Sequence, residues 1–336
     1  MKKVDIKLGY SCNNDCIHCV ISDNRDMCLG KGFSEDLSTE RYIEEMRDSR
    51  ERGAEVIVFT GGEPSIRSDL VTLITHARQM GYTIMMQTNG RAFHFADFAR
   101  KVTKTAPVNY CVALHADREE LHDAITRKKG SFRETVMGIK NLVNLGAEVS
   151  GKIVLSKVNL PRLEHTSEYL VALGVSAVSI VFPHACGNAR KLFADVVPSY
   201  TSLVPALHRA IASLESYGIP VDVEAVPFCL MTGFERYVQD LTYFLSDETE
   251  LKQYGLEPIM DWARERKRIK RKFTRCRECR FDLLCEGPWM EYPEHFGDGE
   301  FIPVRGEKLR DAAVVLRGAP FFTGPATLLT HHALSW

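Results

Sequence analysis

Short apolar or β-branched runs alternate with helical patterns along residues 4–182, and this alternation restricts the fold more than any other feature of the sequence. Six strands are predicted, at residues 4–8, 55–60, 83–87, 109–115, 148–155 and 177–182. Regular alternation of this kind is typical of a parallel sheet with right-handed crossovers. Because six units are too few to close an eight-stranded barrel, we predict an α/β fold built on an open, partial (β/α)6 barrel.

The pattern changes after Pro198. A helical pattern at 202–217 and a strand at 221–226 are followed by shorter, less regular segments from Pro227 onward. From Pro303 the Gly and Pro residues interrupt any long element. We therefore predict three parts, which are a barrel at 1–197, a small C-terminal domain at 198–302 and a tail at 303–336.

Composition and charge exclude several classes of function. The formal net charge is −1 and hydrophobic residues make up 45%, a globular balance that gives no reason to expect a nucleic-acid or membrane partner. Residues 1–7 carry four charged side chains, unlike a signal peptide, and no run of about 18 apolar residues is present. We expect a cytoplasmic protein, in which ten cysteines indicate metal binding or catalysis rather than disulfides.

Three cysteines follow the first predicted strand. Cys12, Cys16 and Cys19 form a Cys-x3-Cys-x2-Cys run within one short loop. Three thiolates can hold three corners of a cubane iron–sulfur cluster and leave the fourth iron open to a ligand. A structural zinc site is the alternative, although such sites normally have four protein ligands.

A Gly-Gly-Glu motif ends the second predicted strand. Gly61 and Gly62 allow the backbone to approach a ligand closely, and Glu63 offers a carboxylate to an ammonium group. Ligand sites in α/β barrels lie at the carboxyl ends of the strands, where both this motif and the cysteine loop are predicted. A tight loop without a ligand would explain the two glycines alone, but not the whole combination.

Together these residues resemble the signature of the radical S-adenosylmethionine (SAM) superfamily, a Cys-x3-Cys-x2-Cys loop followed by Gly-Gly-Glu-Pro. The match extends through 87–90, 122–123 and 130–132 to Gly187-Asn188. The resemblance implies a [4Fe-4S] cluster whose open iron is chelated by the amino and carboxylate groups of SAM. An electron from the cluster then splits the sulfonium, and the resulting 5′-deoxyadenosyl radical abstracts hydrogen from a substrate.

The resemblance also implies a role for individual residues. The three cysteines match the cluster ligands, and Gly61, Gly62 and Glu63 match the site for the methionine ammonium. Thr88 and Asn89 lie at the end of the third strand, where contacts to SAM often occur.

One position departs from the family pattern. Relatives often have a serine in the fourth strand, where this chain has Ala113 in the run that ends at His115. We predict either that His115 takes over a polar contact to SAM or substrate, or that it is an ordinary strand-end histidine. Lys152 could meet the SAM carboxylate, but we expect a solvated strand lysine.

A second group of cysteines lies near the C-terminus. Cys276, Cys279 and Cys285 form a Cys-x2-Cys-x5-Cys run, and Cys229 precedes them by about fifty residues. Four thiolates suit either zinc or an iron–sulfur cluster. The segment resembles the auxiliary-cluster ("twitch") extension of radical SAM enzymes, which implies an auxiliary [4Fe-4S] cluster. We predict that Cys229 is its fourth ligand, although a buried apolar thiol is the usual role of a lone cysteine.

Residues 264–280 form a strongly basic run. A solvated helix is one interpretation, and a contact for an acidic electron donor, an acidic peptide or RNA is the other. The family resemblance implies a flavodoxin- or ferredoxin-type electron donor.

The sequence predicts an enzyme that oxidises or rearranges an unactivated C–H position. An auxiliary cluster suits a net oxidation because it can accept the electron left on a product radical. The substrate is either a peptide or a small metabolite such as a cofactor precursor. A non-catalytic iron–sulfur carrier or sensor is the alternative, and the Gly61–Glu63 motif argues against it.

Overall fold

Parallel strands in sequential order form the centre of the molecule. The computed structural model describes residues 2–30, 36–244, 249–253 and 257–317. Within these ranges the strands are β1 (Lys2–Lys7), β2 (Ala54–Thr60), β3 (Thr83–Thr88), β4 (Val108–Ala113), β5 (Glu148–Val154), β6 (Ala177–Val181), β7 (Val221–Glu224), β8 (Thr249–Gln253) and β9 (Glu257–Asp261). They form one sheet in the order β7-β6-β5-β4-β3-β2-β1-β8-β9.

The seven strands β1–β7 are parallel and form a curled half-barrel, which confirms the predicted α/β partial-barrel fold. The six predicted strands correspond to β1–β6. β7 pairs with β6 in the same sheet, so the sheet continues beyond residue 197. β8 then adds to the other side of β1 in parallel, and β9 pairs with β8 antiparallel. The division of the chain at 197 and 302 stays a prediction.

Helices connect the strands and cover the outer face of the sheet. They are α1 (Ser22–Gly30), α2 (Thr39–Glu51), α3 (Leu70–Gln79), α4 (Ala96–Thr105), α5 (Glu119–Thr126), α6 (Ser131–Asn144), α7 (Leu163–Ala172), α8 (Gly187–Lys191), α9 (Phe193–Val196), α10 (Tyr200–Ser216), α11 (Trp262–Ile269), α12 (Tyr292–Phe296) and α13 (Ala312–Leu316). None of the helices in the described ranges is long and apolar enough to cross a bilayer.

The two faces of the sheet differ in chemistry because side chains alternate along a strand. On β1, Val4 and Ile6 belong to the large core shared with the helices. Asp5 lies between them and is fully buried on the opposite, inner face. Lys152 is also buried, with 5% of its surface exposed, so the expected solvated lysine is wrong. The inner face of the half-barrel therefore carries buried charged side chains beside an apolar cluster formed by Val56, Val58, Met85 and Cys111.

Two side chains of the basic run at 264–280 are buried inside the protein. Arg266 of α11 is fully buried and pairs with Glu224 (Nη1–Oε1, 2.9 Å), Glu286 (Nη2–Oε2, 2.8 Å) and Asp240. Lys270 is buried beside them and pairs with Glu286 (2.9 Å) and Asp240. These five residues are called the ion cluster below. Both interpretations of the basic run are therefore wrong for Arg266 and Lys270, which lie neither on a solvated helix face nor on a partner-binding surface.

The first part of the predicted tail packs against the cysteine-bearing segment. The N–H of Arg280 donates to the carbonyl of Val304, and the N–H of Leu309 donates to the carbonyl of Arg280, each at 2.8 Å. Lys308 also pairs with Asp282 at 2.9 Å. Residues 318–336 of the predicted tail lie outside the described residues.

Arg266→Ala should lower the free energy of unfolding by about 3–5 kcal/mol, because it leaves three buried carboxylates with only one cation. Arg264→Ala removes an exposed arginine from the same helix and should change stability by less than about 0.5 kcal/mol. Anaerobic chemical denaturation of both variants measures the difference. Equal stability of the two variants would contradict the role of the ion cluster.

Candidate active site

All the residues that the sequence predicts for the first site line one pocket at the carboxyl ends of the strands. They are Cys12, Cys16, Cys19, Gly61, Gly62, Glu63, Thr88, Asn89 and His115. Gln87 and Lys152 also line this pocket, which holds about 950 Å³ of space including its open mouth.

The cysteine loop and the Gly-Gly-Glu motif are joined by backbone hydrogen bonds. Parallel pairing continues beyond the ends of β1 and β2, where the N–H of Gly62 donates to Gly9 (2.9 Å) and that of Glu63 donates to Ser11 (2.9 Å). A Cβ on Gly61 would lie 2.5 Å from the Gly9 oxygen, and one on Gly62 would lie 2.1 Å from the Ser11 oxygen. The glycines are therefore required by the close approach of the chain to itself, directly before Cys12.

The Gly187-Asn188 motif holds the other end of the cysteine loop. The backbone N–H of Asn188 donates to the carbonyl of Cys19, and its side-chain amide donates to the carbonyl of Cys16, both at 2.9 Å. Gly187 has φ +54°, and a Cβ there would lie 2.3 Å from the Cys19 oxygen. Two carbonyls of the loop are thereby satisfied by one residue at the start of α8.

Arg91 is a positioning residue that the sequence analysis missed. Its guanidinium donates to Asn14 Oδ1 (2.8 Å) and to the carbonyl of Asn13, and it pairs with Glu134 (2.6 Å). Asn89 also donates to Asn13 Oδ1 (2.6 Å). Position 91 follows the Asn-Gly turn after β3 directly, which was the available signal.

Glu63 is held in place by four hydrogen bonds. Oε1 accepts from the N–H (2.9 Å) and hydroxyl (2.5 Å) of Ser65 and from the hydroxyl of Thr88 (2.6 Å), while Oε2 accepts from the N–H of Asn89 (2.6 Å). Burial raises the pKa of the Glu63 carboxyl, and these four donors oppose that rise. The carboxylate is thus a rigid acceptor, and an additional cation would favour its charged form.

His115 has both structural partners and a position on the pocket wall. Its backbone N–H donates to Nδ1 of His122 (3.1 Å), and its own Nδ1 accepts from the N–H of Val154 (3.3 Å). Because Nδ1 accepts, the neutral ring carries its proton on Nε2. Burial lowers the pKa of His115 well below its usual value, so the ring is neutral. The two predicted roles of His115 are therefore compatible.

His18 lies between Cys16 and Cys19 and was not singled out by sequence reasoning. It is buried, with 6% exposed, and its Nδ1 has no hydrogen-bond partner among the described residues. Its ring contacts that of His115 edge-on at 4.5 Å between centroids. Burial lowers the pKa of His18 to about 4, so it is a neutral polar group with an unused nitrogen.

The three cysteines of the loop are half-buried, and desolvation raises the pKa of each thiol, that of Cys12 to about 12. Metal coordination reverses this effect, since a coordinated thiol is deprotonated.

Comparison with known proteins agrees with this geometry. Residues 6–170 match the model of the radical SAM superfamily. The chain carries a radical SAM domain. The chain superposes on the structure of SuiB from Streptococcus suis bound to S-adenosylmethionine with a TM-score of 0.60, at 10% identity and over 90% of this chain and 76% of that chain. This likeness shows the fold.

Two curated relatives share the radical SAM region. The AdoMet-dependent heme synthase of Oleidesulfovibrio alaskensis is 28% identical over 188 residues, which are 56% of this chain and 47% of that protein. The mycofactocin maturase of Mycolicibacterium smegmatis is 29% identical over 194 residues, which are 57% of this chain and 47% of that protein. The chain therefore matches less than half the length of these two relatives.

The radical SAM chain has a second thiol-lined pocket beyond the half-barrel. Its walls include Cys229, Cys276, Cys279 and Cys285. Two of the sulfurs accept backbone hydrogen bonds, Cys276 from Phe273 and Cys285 from Gly287, each at 3.4 Å. Gly287 has φ +82°, and a Cβ there would lie 2.0 Å from the carbonyl oxygen of Arg271. The four predicted cysteines are thus brought together from two distant segments.

The distances between the thiol sulfurs in each pocket distinguish a single zinc ion from an iron–sulfur cluster. Among the described cysteines, no three sulfurs of either set lie within 4.8 Å of one another. A single tetrahedral zinc ion, with Zn–S distances of about 2.3 Å, would draw its sulfurs to within about 4 Å. The wider spacing suits a cubane cluster, in which each thiolate binds a different iron.

Gly62→Ala should displace Ser11 and the adjacent Cys12, because its Cβ would overlap the Ser11 carbonyl. We expect the variant, after anaerobic reconstitution, to lose most of the iron bound at the first site. Gly299→Ala is the matched control, since a Cβ at Gly299 would meet nothing within 4 Å. Iron content and visible absorption of the two variants measure the effect, and full iron binding by Gly62→Ala would refute the close-approach argument.

Proposed function

We propose that this protein is an enzyme that cleaves SAM reductively at a [4Fe-4S] cluster held by Cys12, Cys16 and Cys19. The observation that carries this proposal is the convergence of three thiols, the fixed Glu63 carboxylate and polar side chains of the half-barrel interior on one pocket. The cysteine loop supplies three thiols, which leaves one iron of a cubane for the cofactor.

The residues of the pocket fit a cluster and a polar cofactor. Three sulfurs match the three corners of a cubane that the loop can ligate. Two buried nitrogens, Nε2 of Gln87 and Nδ1 of His18, have no hydrogen-bond partner among the described residues, although both residues line the pocket. Buried polar atoms are normally satisfied, so these atoms indicate space for a hydrogen-bonding ligand.

Each part of the pocket has a separate task in this proposal. Glu63 binds the methionine ammonium of SAM, and its four donors prevent the carboxylate from moving. Asn188 and Arg91 orient the cysteine loop through its carbonyls and side chains. His115 offers its Nε2 proton to SAM or substrate. When bound, the reduced cluster and SAM supply one-electron cleavage of the sulfonium, whose product abstracts hydrogen from a substrate.

The inner face of the half-barrel is proposed to exclude bulk water from this chemistry. Lys152 and Cys111 line the pocket from β5 and β4, and both are buried. A non-catalytic carrier or sensor of electrons would need the thiols alone. It would not need a fixed internal carboxylate and unpaired polar nitrogens beside them, so the enzyme is favoured.

We propose an auxiliary [4Fe-4S] cluster at Cys229, Cys276, Cys279 and Cys285. The thiol spacing supports iron–sulfur over zinc. The N–H groups that donate to two of the sulfurs would stabilise metal-bound thiolates. With four protein thiolates this cluster has no open iron. Its role would then be to accept the electron left on a product radical, in a net oxidation of the substrate. A flavodoxin- or ferredoxin-type donor would supply the electron for SAM cleavage.

The substrate is proposed to be a small metabolite, such as a cofactor precursor, or a peptide. The name of the heme synthase supports the first class, whereas the mycofactocin maturase and the structure of SuiB with its precursor peptide SuiA support the second. The half-barrel interior with its buried charges suits a polar part of either substrate.

SAM cleavage tests the proposed reaction. With dithionite, wild-type protein should release 5′-deoxyadenosine even without substrate, and changing Cys12, Cys16 and Cys19 together to Ala should abolish release and remove about half of the iron. Cys28→Ala, which removes a buried cysteine from outside both pockets, should retain both properties. Continued release from the triple variant would disprove the assignment of the first cluster.

The fourth auxiliary ligand is tested in the triple-Ala background, where only the second cluster remains. There, Cys229→Ala should change the electron paramagnetic resonance signal and allow an added small ligand to bind the opened iron. An unchanged signal without ligand binding would show that Cys229 is only a buried thiol. Zinc in place of iron in this background would refute the auxiliary cluster itself.

A further inference from the structure

Three side chains that neither cluster uses converge beside the cysteine loop. His184 and Cys186 lie between β6 and α8, and Glu291 directly precedes α12. The Cys186 sulfur is 3.4 Å from His184 Nε2, which is 3.5 Å from Glu291 Oε2. The three atoms all lie within 4.8 Å of one another.

These distances match the edges of a metal coordination tetrahedron. With metal–nitrogen and metal–oxygen distances of about 2.0–2.2 Å and a metal–sulfur distance of about 2.3 Å, tetrahedral edges between unlike ligands are about 3.4–3.6 Å. We propose that His184, Cys186 and Glu291 bind a single divalent transition metal of the zinc class. This spacing is tighter than that of the thiols in either cluster pocket.

The surroundings support a built site. The His184 ring stacks on Trp289, with 4.2 Å between centroids and 18° between planes, so its orientation is restricted. Glu291 Oε2 is buried, and among the described residues its polar contact is the ion pair with His184 Nε2 at 3.5 Å. An ion pair between His184 and Glu291 would account for the position of these two side chains. It would not account for the Cys186 sulfur, which lies beside the same His184 nitrogen.

The site has three protein ligands, the number found in zinc sites that keep one position open. His184 and Cys186 line a pocket that also contains Arg190. Val20 and Ile21 line both this pocket and the one that holds the first three thiols. A metal here would bind an oxygen or nitrogen of a substrate next to the first cluster; this role rests on the proposed function, whereas metal binding itself does not.

The same segment connects the metal site to the cysteine loop. Cys186 directly precedes Gly187 and Asn188, which contact the carbonyls of Cys19 and Cys16. The group formed by Cys16, His18 and His115 is also within 4.8 Å, but Cys16 is assigned to the first cluster. The site at His184, Cys186 and Glu291 is therefore the one that remains available when the clusters are filled.

The test uses the full chain, reconstituted anaerobically with iron and sulfide and then dialysed against zinc chloride. We expect about one zinc ion per chain in addition to the cluster iron. Cys186→Ser, His184→Ala and Glu291→Gln should each lose this zinc and retain the wild-type iron content. The first and third variants are nearly isosteric, which limits effects on folding.

Two further measurements make the result specific. Cys28→Ala and His165→Ala, which change a buried cysteine and an exposed histidine elsewhere, should keep the zinc. Cobalt in place of zinc should give a thiolate-to-cobalt charge-transfer band in difference spectra, which Cys186→Ser removes. Equal zinc content in the wild type and all three site variants, or the same cobalt spectrum in Cys186→Ser, would overturn the proposal.

Discussion

The pairing of β1 with β2 beyond the ends of both strands is the constraint on which the rest of the site depends. It brings the backbone of Gly61–Glu63 against residues 9–11, so that the cysteine loop begins from a fixed position. It also places the Glu63 carboxylate where Thr88 and Asn89 of the next strand can donate to it. The cysteine loop and the Glu63 carboxylate are therefore positioned by one continuous set of main-chain hydrogen bonds.

The ion cluster has a comparable effect on the segments that follow the half-barrel. Glu224 ends β7, Arg266 belongs to α11, and Glu286 follows Cys285 directly. Buried charges are costly unless they are paired, so the pairing of Arg266 with both carboxylates favours one arrangement of these segments. The consequence is that the auxiliary cysteines are held at a defined place relative to the half-barrel, as electron transfer between two clusters would require.

The surroundings of the cysteine loop indicate how one site could combine several functions. Its carbonyls are held by Asn188, its side chains by Arg91, and its buried His18 contacts His115 inside the half-barrel. Val20 and Ile21 separate the first pocket from the one beside His184 and Cys186. A substrate that spans the two pockets would be bound on one side of this short segment and react on the other.

The sequence by itself determined the strand alternation and the first cluster motif, because strand periodicity and the spacing within one loop are local properties of the chain. It also pointed to Cys229 as a partner of Cys276, Cys279 and Cys285, and the structure places all four on one pocket. Only the tertiary structure decided that Arg266, Lys270 and Lys152 are buried, since a charged residue in a basic or strand segment has no local signal for a partner. The same holds for the group formed by His184, Cys186 and Glu291. Glu291 lies about a hundred residues after the other two in the chain and meets them only because α12 packs near the end of β6.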